Sequence, residues 1–148
     1  MKEINMKKAL NEAKKAKEKL EIPIGAVIIK NGKVIARGYN KREASKDATN
    51  HAEILAIRKA CKKLDNWRLQ DCELYVTLEP CPMCAGAILN SRIKKLYFGA
   101  YDKKSGAVVS NYKLLDNECL NHKVIYESGI LKDECESIIK DFFKERRK

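Results

Sequence analysis

The sequence contains no long run of apolar residues and no segment typical of a signal peptide. Its longest apolar stretches, such as residues 26–29, are far shorter than the roughly 18 residues needed to cross a bilayer. The first 20 residues alternate lysine and glutamate and have no apolar core of the kind that directs export. We therefore expect a cytoplasmic protein without a membrane-spanning segment.

Internal repeats, low-complexity segments and linkers are absent as well. The 148 residues, 45% hydrophobic and 34% charged, are enough to bury the core of one domain without crosslinks. The six cysteines do not indicate a disulfide framework, because such frameworks belong to short secreted chains. We expect one domain over residues 1–148, with its thiols reduced.

Acidic residues are the scarcer charge, with 20 Asp and Glu against 31 Lys and Arg, which gives a formal net charge of +11. Both ends of the chain are basic: residues 1–20 hold seven lysines and three glutamates, and residues 140–148 hold five basic and two acidic side chains. A basic surface favours a polyanionic partner such as nucleic acid. Solubility alone explains the same charge equally well.

Hydrophobic spacing and turn residues predict an alternation of helices and strands. Helical spacing favours an amphipathic helix over residues 4–20, and Asn31-Gly32 is typical of a two-residue hairpin turn between strands at 24–30 and 33–39. The predicted order continues with a loop at 41–49, a helix from His51, a strand at 74–78, a helix entered through Pro80 and Pro82 and ending near 90, a strand at 96–100, a short strand at 124–126 and a helix at 131–147. This order predicts a three-layer α/β/α sandwich around a mixed sheet of about five strands.

Two short motifs carry the residues suited to catalysis. In NHAEI, His51 precedes Glu53 by two residues, and in PCPMC, Cys81 and Cys84 share the first turn of a helix, where free amides and the helix dipole stabilise thiolates. Zinc accepts sulfur and imidazole ligands in tetrahedral geometry, and three protein ligands mark a catalytic site. We predict that His51, Cys81 and Cys84 bind zinc and that Glu53 moves protons for a water at the metal. H-x-E followed by P-C-x-x-C is a signature of zinc nucleobase deaminases.

Each motif alone has a simpler interpretation. Asn50 and Glu53 match a capping box, and an isolated C-x-x-C after a strand also occurs in thioredoxin-type redox pairs. A structural zinc site needs a fourth ligand, which His122 or one of four cysteines could supply: Cys61, Cys72, Cys119 and Cys135. We favour a structural role for His122 and buried or idle roles for these cysteines.

These residues resemble the cytidine-deaminase-like superfamily and, within it, the bacterial tRNA-specific adenosine deaminases. The resemblance covers nearly the whole chain, and its most specific segment is LYVTLEPCPMCAGAI at residues 74–88. The other matching segments are EIPIGAVI, GYN, NHAEI, SRI, FGAYDKKSGA, NHKV, GILKDEC and DFFKERR. The chain departs from the family pattern at residues 109–112, VSNY, where a small residue, serine, and then leucine or methionine are usual.

The resemblance implies that the protein deaminates the wobble adenosine of a tRNA anticodon to inosine, as a homodimer with one zinc ion per subunit. It implies that His51, Cys81 and Cys84 are the zinc ligands and that Glu53 is the proton shuttle. It further implies that Asn40 hydrogen-bonds the flipped base. In the loop YDKKSG, Asp102 is expected near the sugar of the nucleotide before the target, with Lys104 beside it.

The basic end of the chain suggests how an anticodon stem-loop is held. Phe142 and Phe143 stand close to Arg146 and Arg147, and aromatic and guanidinium groups stack on unpaired bases. An amphipathic helix needs an inner face, so one of the two phenylalanines is expected in the core. Two other functions use the same motifs: deamination of a free base or nucleoside, of the guanine or cytosine type, and RNA binding by a zinc module without catalysis.

Overall fold

A computed structural model of the chain describes residues 1–146. Its elements are α1 (Lys2–Glu18), β1 (Gly25–Lys30), β2 (Lys33–Tyr39), α2 (Arg42–Ser45), α3 (Ala52–Leu64), β3 (Cys72–Leu78), α4 (Pro82–Asn90), β4 (Lys95–Ala100), a 3₁₀ turn (Leu114–Asp116), β5 (Ile125–Ser128) and α5 (Lys132–Arg146). In this part of the chain no helix is long and apolar enough to cross a bilayer.

The five strands form one mixed sheet in the order β2-β1-β3-β4-β5. Strand β1 pairs antiparallel with β2 and β3, whereas β3, β4 and β5 run parallel. Helices α1 and α5 pack on one face, and α3 and α4 cover the other. The predicted three-layer α/β/α sandwich with a mixed five-stranded sheet is therefore confirmed.

The central strands are apolar on both faces because helices cover both. In β1, Ala26 and Ile28 join the core under α3 and α4, while Val27 and Ile29 join the core under α1. Strand β4 alternates in the same way, with Phe98 on one face and Tyr97 on the other. Covered sheets of this kind have continuous apolar strands rather than an apolar-polar alternation.

The predicted hairpin is confirmed. Asn31 and Gly32 adopt φ values of 51° and 76°, the left-handed conformation that a two-residue turn of the primed type requires at both positions.

Two local predictions were wrong. Helix α1 ends at Glu18 rather than residue 20, since Leu20 turns to a φ of 61°. The segment 41–49, expected as a loop, contains the short helix α2. The buried carboxylate of Glu21 accepts hydrogen bonds from the amides of Glu43 (3.0 Å) and Ala44 (2.7 Å), which holds this turn in place.

One edge of the sheet gathers the segments that carry the predicted site residues. The carboxyl ends of β3 and β4 meet there, because Glu79 N donates to Ala100 O at 2.9 Å. Strand β1 runs the opposite way, so its first residue, Gly25, reaches the same edge and donates to the Thr77 hydroxyl. Helix α3 packs directly on Gly38 of β2, where a Cβ atom would lie 2.5 Å from Ala52 O. The bare glycine therefore brings the start of α3 to this edge.

Candidate active site

The structure brings His51, Cys81 and Cys84 together at the starts of two helices. His51 is the residue before the first turn of α3, Cys81 stands in the same position on α4, and Cys84 lies in the first turn of α4. The imidazole Nδ1 lies 3.6 Å from each of the two sulfur atoms. The spacing of the two motifs predicted this convergence.

The three atoms have the separations that a tetrahedral zinc site requires. With Zn–N near 2.1 Å and Zn–S near 2.3 Å, a nitrogen and a sulfur ligand lie about 3.6 Å apart. The ligand atoms of His51, Cys81 and Cys84 all lie within 4.8 Å of one another, and no other such group occurs among residues 1–146. The residues therefore fit a metal ion with three protein ligands and one open position.

Among residues 1–146, no fourth protein ligand approaches this group. His122 is bonded elsewhere, with its Nε2 atom 2.8 Å from Ile93 O, as its expected structural role requires. The remaining cysteines are free thiols outside the group, and Cys72 and Cys135 are buried. The described residues thus do not form the closed four-ligand site of a structural zinc.

The two cysteines of the site differ in their affinity for a proton. A hydrogen bond from Cys84, opposed by burial and helped by His51, lowers the pKa of Cys81 to about 4. The same hydrogen bond, together with burial, raises the pKa of Cys84. The sulfur of Cys81 in turn raises the pKa of His51. The sulfur atoms of Cys81 and Cys84 thus share one proton. A divalent cation that binds both as thiolates displaces this proton.

Glu53 lies in the first turn of α3 and is only 3% exposed. Burial raises the pKa of its carboxyl group to about 7. No side chain caps this helix, and Asn50 instead accepts from Arg58 and donates to Ser45. The capping-box alternative is therefore not what the structure shows, and Glu53 is a buried carboxyl group that can carry a proton near neutral pH.

A cavity of about 810 Å³ opens over this group. Predicted site residues that line it are Asn40, His51, Glu53, Cys81, Asp102, Lys104 and Phe143. Cys84 is fully buried beside Cys81, and Arg146 is exposed and does not line the cavity. Arg147 lies outside the described residues. A cavity of this size accommodates a nucleobase with its sugar.

Asn40 reaches the cavity from the end of β2 and is 6% exposed. Its Nδ2 donates to Ile22 O at 3.3 Å, and its Oδ1 accepts from Arg42 N at 3.2 Å. An amide has two donor hydrogens and two acceptor lone pairs, so one of each remains available. The side chain is thus held by the backbone and can still bond a base edge.

The loop after β4 forms one rim of the cavity. Oδ1 of Asp102 accepts from the amides of Lys104 and Ser105, both at 3.1 Å, which shapes the turn. Beneath the loop, the carboxylate of Glu79 accepts hydrogen bonds from several backbone amides of the loop. Burial opposes ionisation of Glu79, but hydrogen bonds from Ser110, Val109 and Asp102 hold its pKa below the usual value.

Helix α5 forms a further wall, and its two phenylalanines divide as expected. Phe142 is 2% exposed and belongs to the core, whereas Phe143 is 42% exposed and faces the cavity. The guanidinium of Arg146 lies 5.4 Å from the ring of Phe142, not on Phe143. Of the side chains expected to hold the stem-loop, Phe143 therefore borders the cavity, whereas Arg146 packs on the buried ring of Phe142.

Several residues that line the cavity were not predicted from the sequence. Arg42 follows Asn40 by two positions, and Lys140 precedes Phe143 by three, which places it on the same face of α5. Helical spacing from Phe143 was the signal that could have identified Lys140. Glu79 directly precedes the PCPMC motif, but nothing in the neighbouring sequence indicates which backbone amides donate hydrogen bonds to its carboxylate.

Comparisons with known proteins agree with the motifs. A family model described as MafB19-like deaminase matches residues 1–147. The tRNA-specific adenosine deaminase of Bacillus subtilis (strain 168) is 51% identical over 146 residues, covering 99% of this chain and 91% of that protein. The tRNA-specific adenosine deaminase of Aquifex aeolicus (strain VF5) is 50% identical over 146 residues, covering 99% and 96%.

The fold also matches a solved structure of high sequence identity. A solved structure from biochemical and structural studies of A-to-I editing by tRNA:A34 deaminases at the wobble position of transfer RNA has a TM-score of 0.88 and 46% sequence identity. The match covers 90% of this chain and 97% of the solved one. The chain therefore belongs to the MafB19-like deaminases and, among them, to the family of tRNA-specific adenosine deaminases.

Proposed function

We propose that this protein hydrolytically deaminates the wobble adenosine of a tRNA anticodon to inosine at a zinc site made by His51, Cys81 and Cys84. The observation that carries the proposal is the meeting of one imidazole, two sulfurs and a buried carboxyl group at the base of a nucleoside-sized cavity. Membership in the family of tRNA-specific adenosine deaminases supports this choice of substrate.

The reaction adds water to C6 of adenine and releases ammonia. When bound, zinc supplies the Lewis acidity that lets a water lose its proton near neutral pH. Glu53 takes that proton and delivers it to N1 of the ring while the water oxygen bonds to C6. Glu53 then takes the proton of the new C6 hydroxyl and passes it to the amino group, so that the C6–N bond breaks, ammonia leaves and the C6 carbonyl of inosine forms. Its buried position beside the sulfur atoms keeps bulk water from exchanging the proton in transit.

The walls of the cavity orient the base. Asn40 offers one free donor and one free acceptor to a base edge, and Ile22 and Ile24 add apolar surface beside it. Adenine inside a stacked helix cannot reach this depth, whereas an unpaired anticodon base can swing into the cavity. An anticodon stem-loop is therefore the natural substrate.

The rim and the surrounding surface bind the rest of the stem-loop. We assign Asp102 and Lys104 to the neighbouring sugar and phosphate, and Phe143 to stacking on an unpaired base. Arg146 and Arg147 add positive charge for the phosphates in a chain whose net charge is +11. A tRNA substrate and six unpaired cysteines fit action in the cytoplasm, where thiols stay reduced.

We also propose that two copies of the chain associate through α4. This helix contains no charged residue, although 34% of the chain is charged. Its outward side carries Pro82, Met83, Gly86 and Ala87; Met83 is 36% exposed, and a Cβ on Gly86 would meet no atom within 4 Å. Depletion of charge on an exposed apolar surface is typical of the centre of a protein interface.

Substrate assays test the proposed reaction. The purified protein should convert a wobble adenosine in an anticodon stem-loop to inosine and leave free guanine, cytosine and adenosine unchanged. Turnover of only the free compounds would reject the tRNA assignment in favour of a free-base deaminase. Activity that survives complete removal of zinc by a chelator would reject the metal mechanism.

Glu53→Gln tests the proton shuttle. Turnover should fall by about 10²- to 10⁴-fold, the usual contribution of general acid-base catalysis, while the zinc content stays at one per subunit. Glu118→Gln, the same change in an exposed residue far along the chain, is the control and should keep wild-type turnover. RNA binding with no turnover in either the wild type or the variants would favour the non-catalytic module.

A further inference from the structure

The carboxylate of Glu79 is buried against the rim loop and binds only its amides and one hydroxyl. Glu79 is 2% exposed. Its Oε2 accepts from the amides of Val108 (3.2 Å), Val109 (2.8 Å) and Ser110 (2.9 Å). Its Oε1 accepts from Asp102 N at 3.1 Å and from the Ser110 hydroxyl.

Only an ionised carboxylate suits this environment. All five partners donate hydrogens, and a carboxylate accepts at both oxygens without carrying a hydrogen of its own. A glutamine of the same size would point its NH₂ group at two of these donors. The loop also packs directly on this carboxyl group, because a Cβ on Gly106 would lie 2.4 Å from Cδ of Glu79.

The position of Glu79 in the chain links this loop to the metal ligands. Glu79 and Pro80 directly precede Cys81, and Ala107 N donates to Pro80 O at 2.8 Å. Glu79 N also donates to Ala100 O, the last residue of β4 before the loop. One short backbone segment therefore carries a sulfur ligand at one end and the anchor of the rim loop at the other.

We propose that Glu79 is a positioning residue that sets the distance between the rim loop and the metal ligands, so that Asp102 and Lys104 meet the RNA while the target base lies over Cys81. The role in RNA positioning rests on the proposed function, whereas the anchoring of the loop does not depend on it. A carboxylate that accepts hydrogen bonds from backbone amides fixes the position of a loop and leaves most side chains of that loop free to vary. This fits the presence of VSNY at residues 109–112, where the family pattern differs.

A second buried carboxylate, that of Glu21, offers a matched control. Glu21 is also 2% exposed and accepts two backbone amides, those of Glu43 and Ala44 in α2. Glu21 is therefore also a buried carboxylate that binds backbone amides, but it holds α2 rather than the loop after β4. If Glu79 acts through the loop after β4, the same substitution at Glu21 should leave that loop unchanged.

Hydrogen exchange followed by mass spectrometry measures the anchoring directly. In the zinc-loaded protein, Glu79→Gln should raise the exchange of amides 102 and 108–110 by at least about tenfold, because each loses a bond to a charged acceptor. Exchange in β1 and β3 and the zinc content should stay at wild-type values. Glu21→Gln should accelerate exchange at 43 and 44 and leave 102–110 unchanged.

Kinetics then measure the consequence for the substrate. Glu79→Gln should raise KM for the stem-loop by about tenfold and change kcat by less than about threefold, the pattern of lost substrate positioning with the metal site intact. Ser110→Ala removes one of the five bonds and should give a smaller change in the same direction, which keeps the test available if Glu79→Gln folds poorly.

Two results would overturn the proposal. One is wild-type exchange at 102 and 108–110 in Glu79→Gln. The other is equally accelerated exchange throughout the sheet, which would make Glu79 a general stabilising residue. Failure of the wild type to deaminate the stem-loop would reject the proposed function instead, and the exchange result would still stand.

Discussion

Gly38→Ala tests whether close packing of α3 on β2 positions His51, the proposed metal ligand. The added Cβ would lie 2.5 Å from Ala52 O and 2.8 Å from Ala56 N, both backbone atoms of α3. Non-bonded heavy atoms prefer about 3.5 Å, so the start of the helix must retreat by about 1 Å. Metal–ligand distances tolerate deviations of about 0.2 Å. The retreat therefore exceeds what the site accepts.

The expected losses follow from this displacement. Zinc affinity should fall by about 10- to 100-fold, as it does when groups that orient a metal ligand are removed. Misplacement of Glu53 by 1 Å should lower turnover by about 100-fold even at saturating zinc. Overpacking of the core should lower the free energy of unfolding by about 1–3 kcal/mol.

Chelator competition gives the zinc affinity, and stem-loop deamination at saturating zinc gives the turnover. Gly86→Ala adds the same methyl group where no atom outside the neighbouring helix backbone lies within 4 Å, so the zinc affinity of the subunit should stay at the wild-type value. Because Gly86 lies on the proposed α4 interface, light scattering of this variant checks that its oligomeric state is unchanged. If Gly38→Ala binds zinc and turns over substrate as the wild type does, the close contact between α3 and β2 does not position the site.

Three further substitutions test separate parts of the molecule. Phe142→Ala removes a core ring that is 2% exposed and should lower the free energy of unfolding in urea by about 3–5 kcal/mol. Phe143→Ala, at 42% exposure, should change that free energy by no more than about 0.5 kcal/mol and weaken stem-loop binding by about 1–3 kcal/mol. Equal effects of the two on stability would contradict their assignment to core and cavity. Met83→Glu places a charge on the outward side of α4 and should convert the proposed dimer to a monomer in light scattering, whereas an unchanged mass would exclude this surface as the interface.

Local chemistry accounts for the parts of the fold that the sequence predicted. Asn31-Gly32 specifies its turn through two left-handed residues, and the hairpin was found. The sequence also predicted that His51, Cys81 and Cys84 converge, because a zinc ion needs the ligands of both motifs, and their ligand atoms lie within 4.8 Å of one another. Glu53 was identified from its position two residues after His51. The strand alternation and the helices between them then predicted the layers.

Long-range contacts account for what was missed. Helix α2 has four residues and depends on Glu21, which lies 22 positions before Glu43. The amides bound by Glu79 lie 23 to 31 positions after it. Propensity and periodicity describe neighbours in the chain, so neither contact leaves a local signal. The order of the strands in the sheet also depends on contacts of this kind.

The walls of the cavity come from positions as far apart as Ile22 and Phe143. A partly folded chain therefore has neither a complete binding surface nor a complete set of ligands, since loop closure over such separations occurs only with the assembled sheet. Retention of the proposed zinc ion should therefore report complete folding. Destabilising substitutions anywhere in the sandwich should release metal in proportion to the population of opened molecules, and zinc should protect the chain from proteolysis by the same linkage.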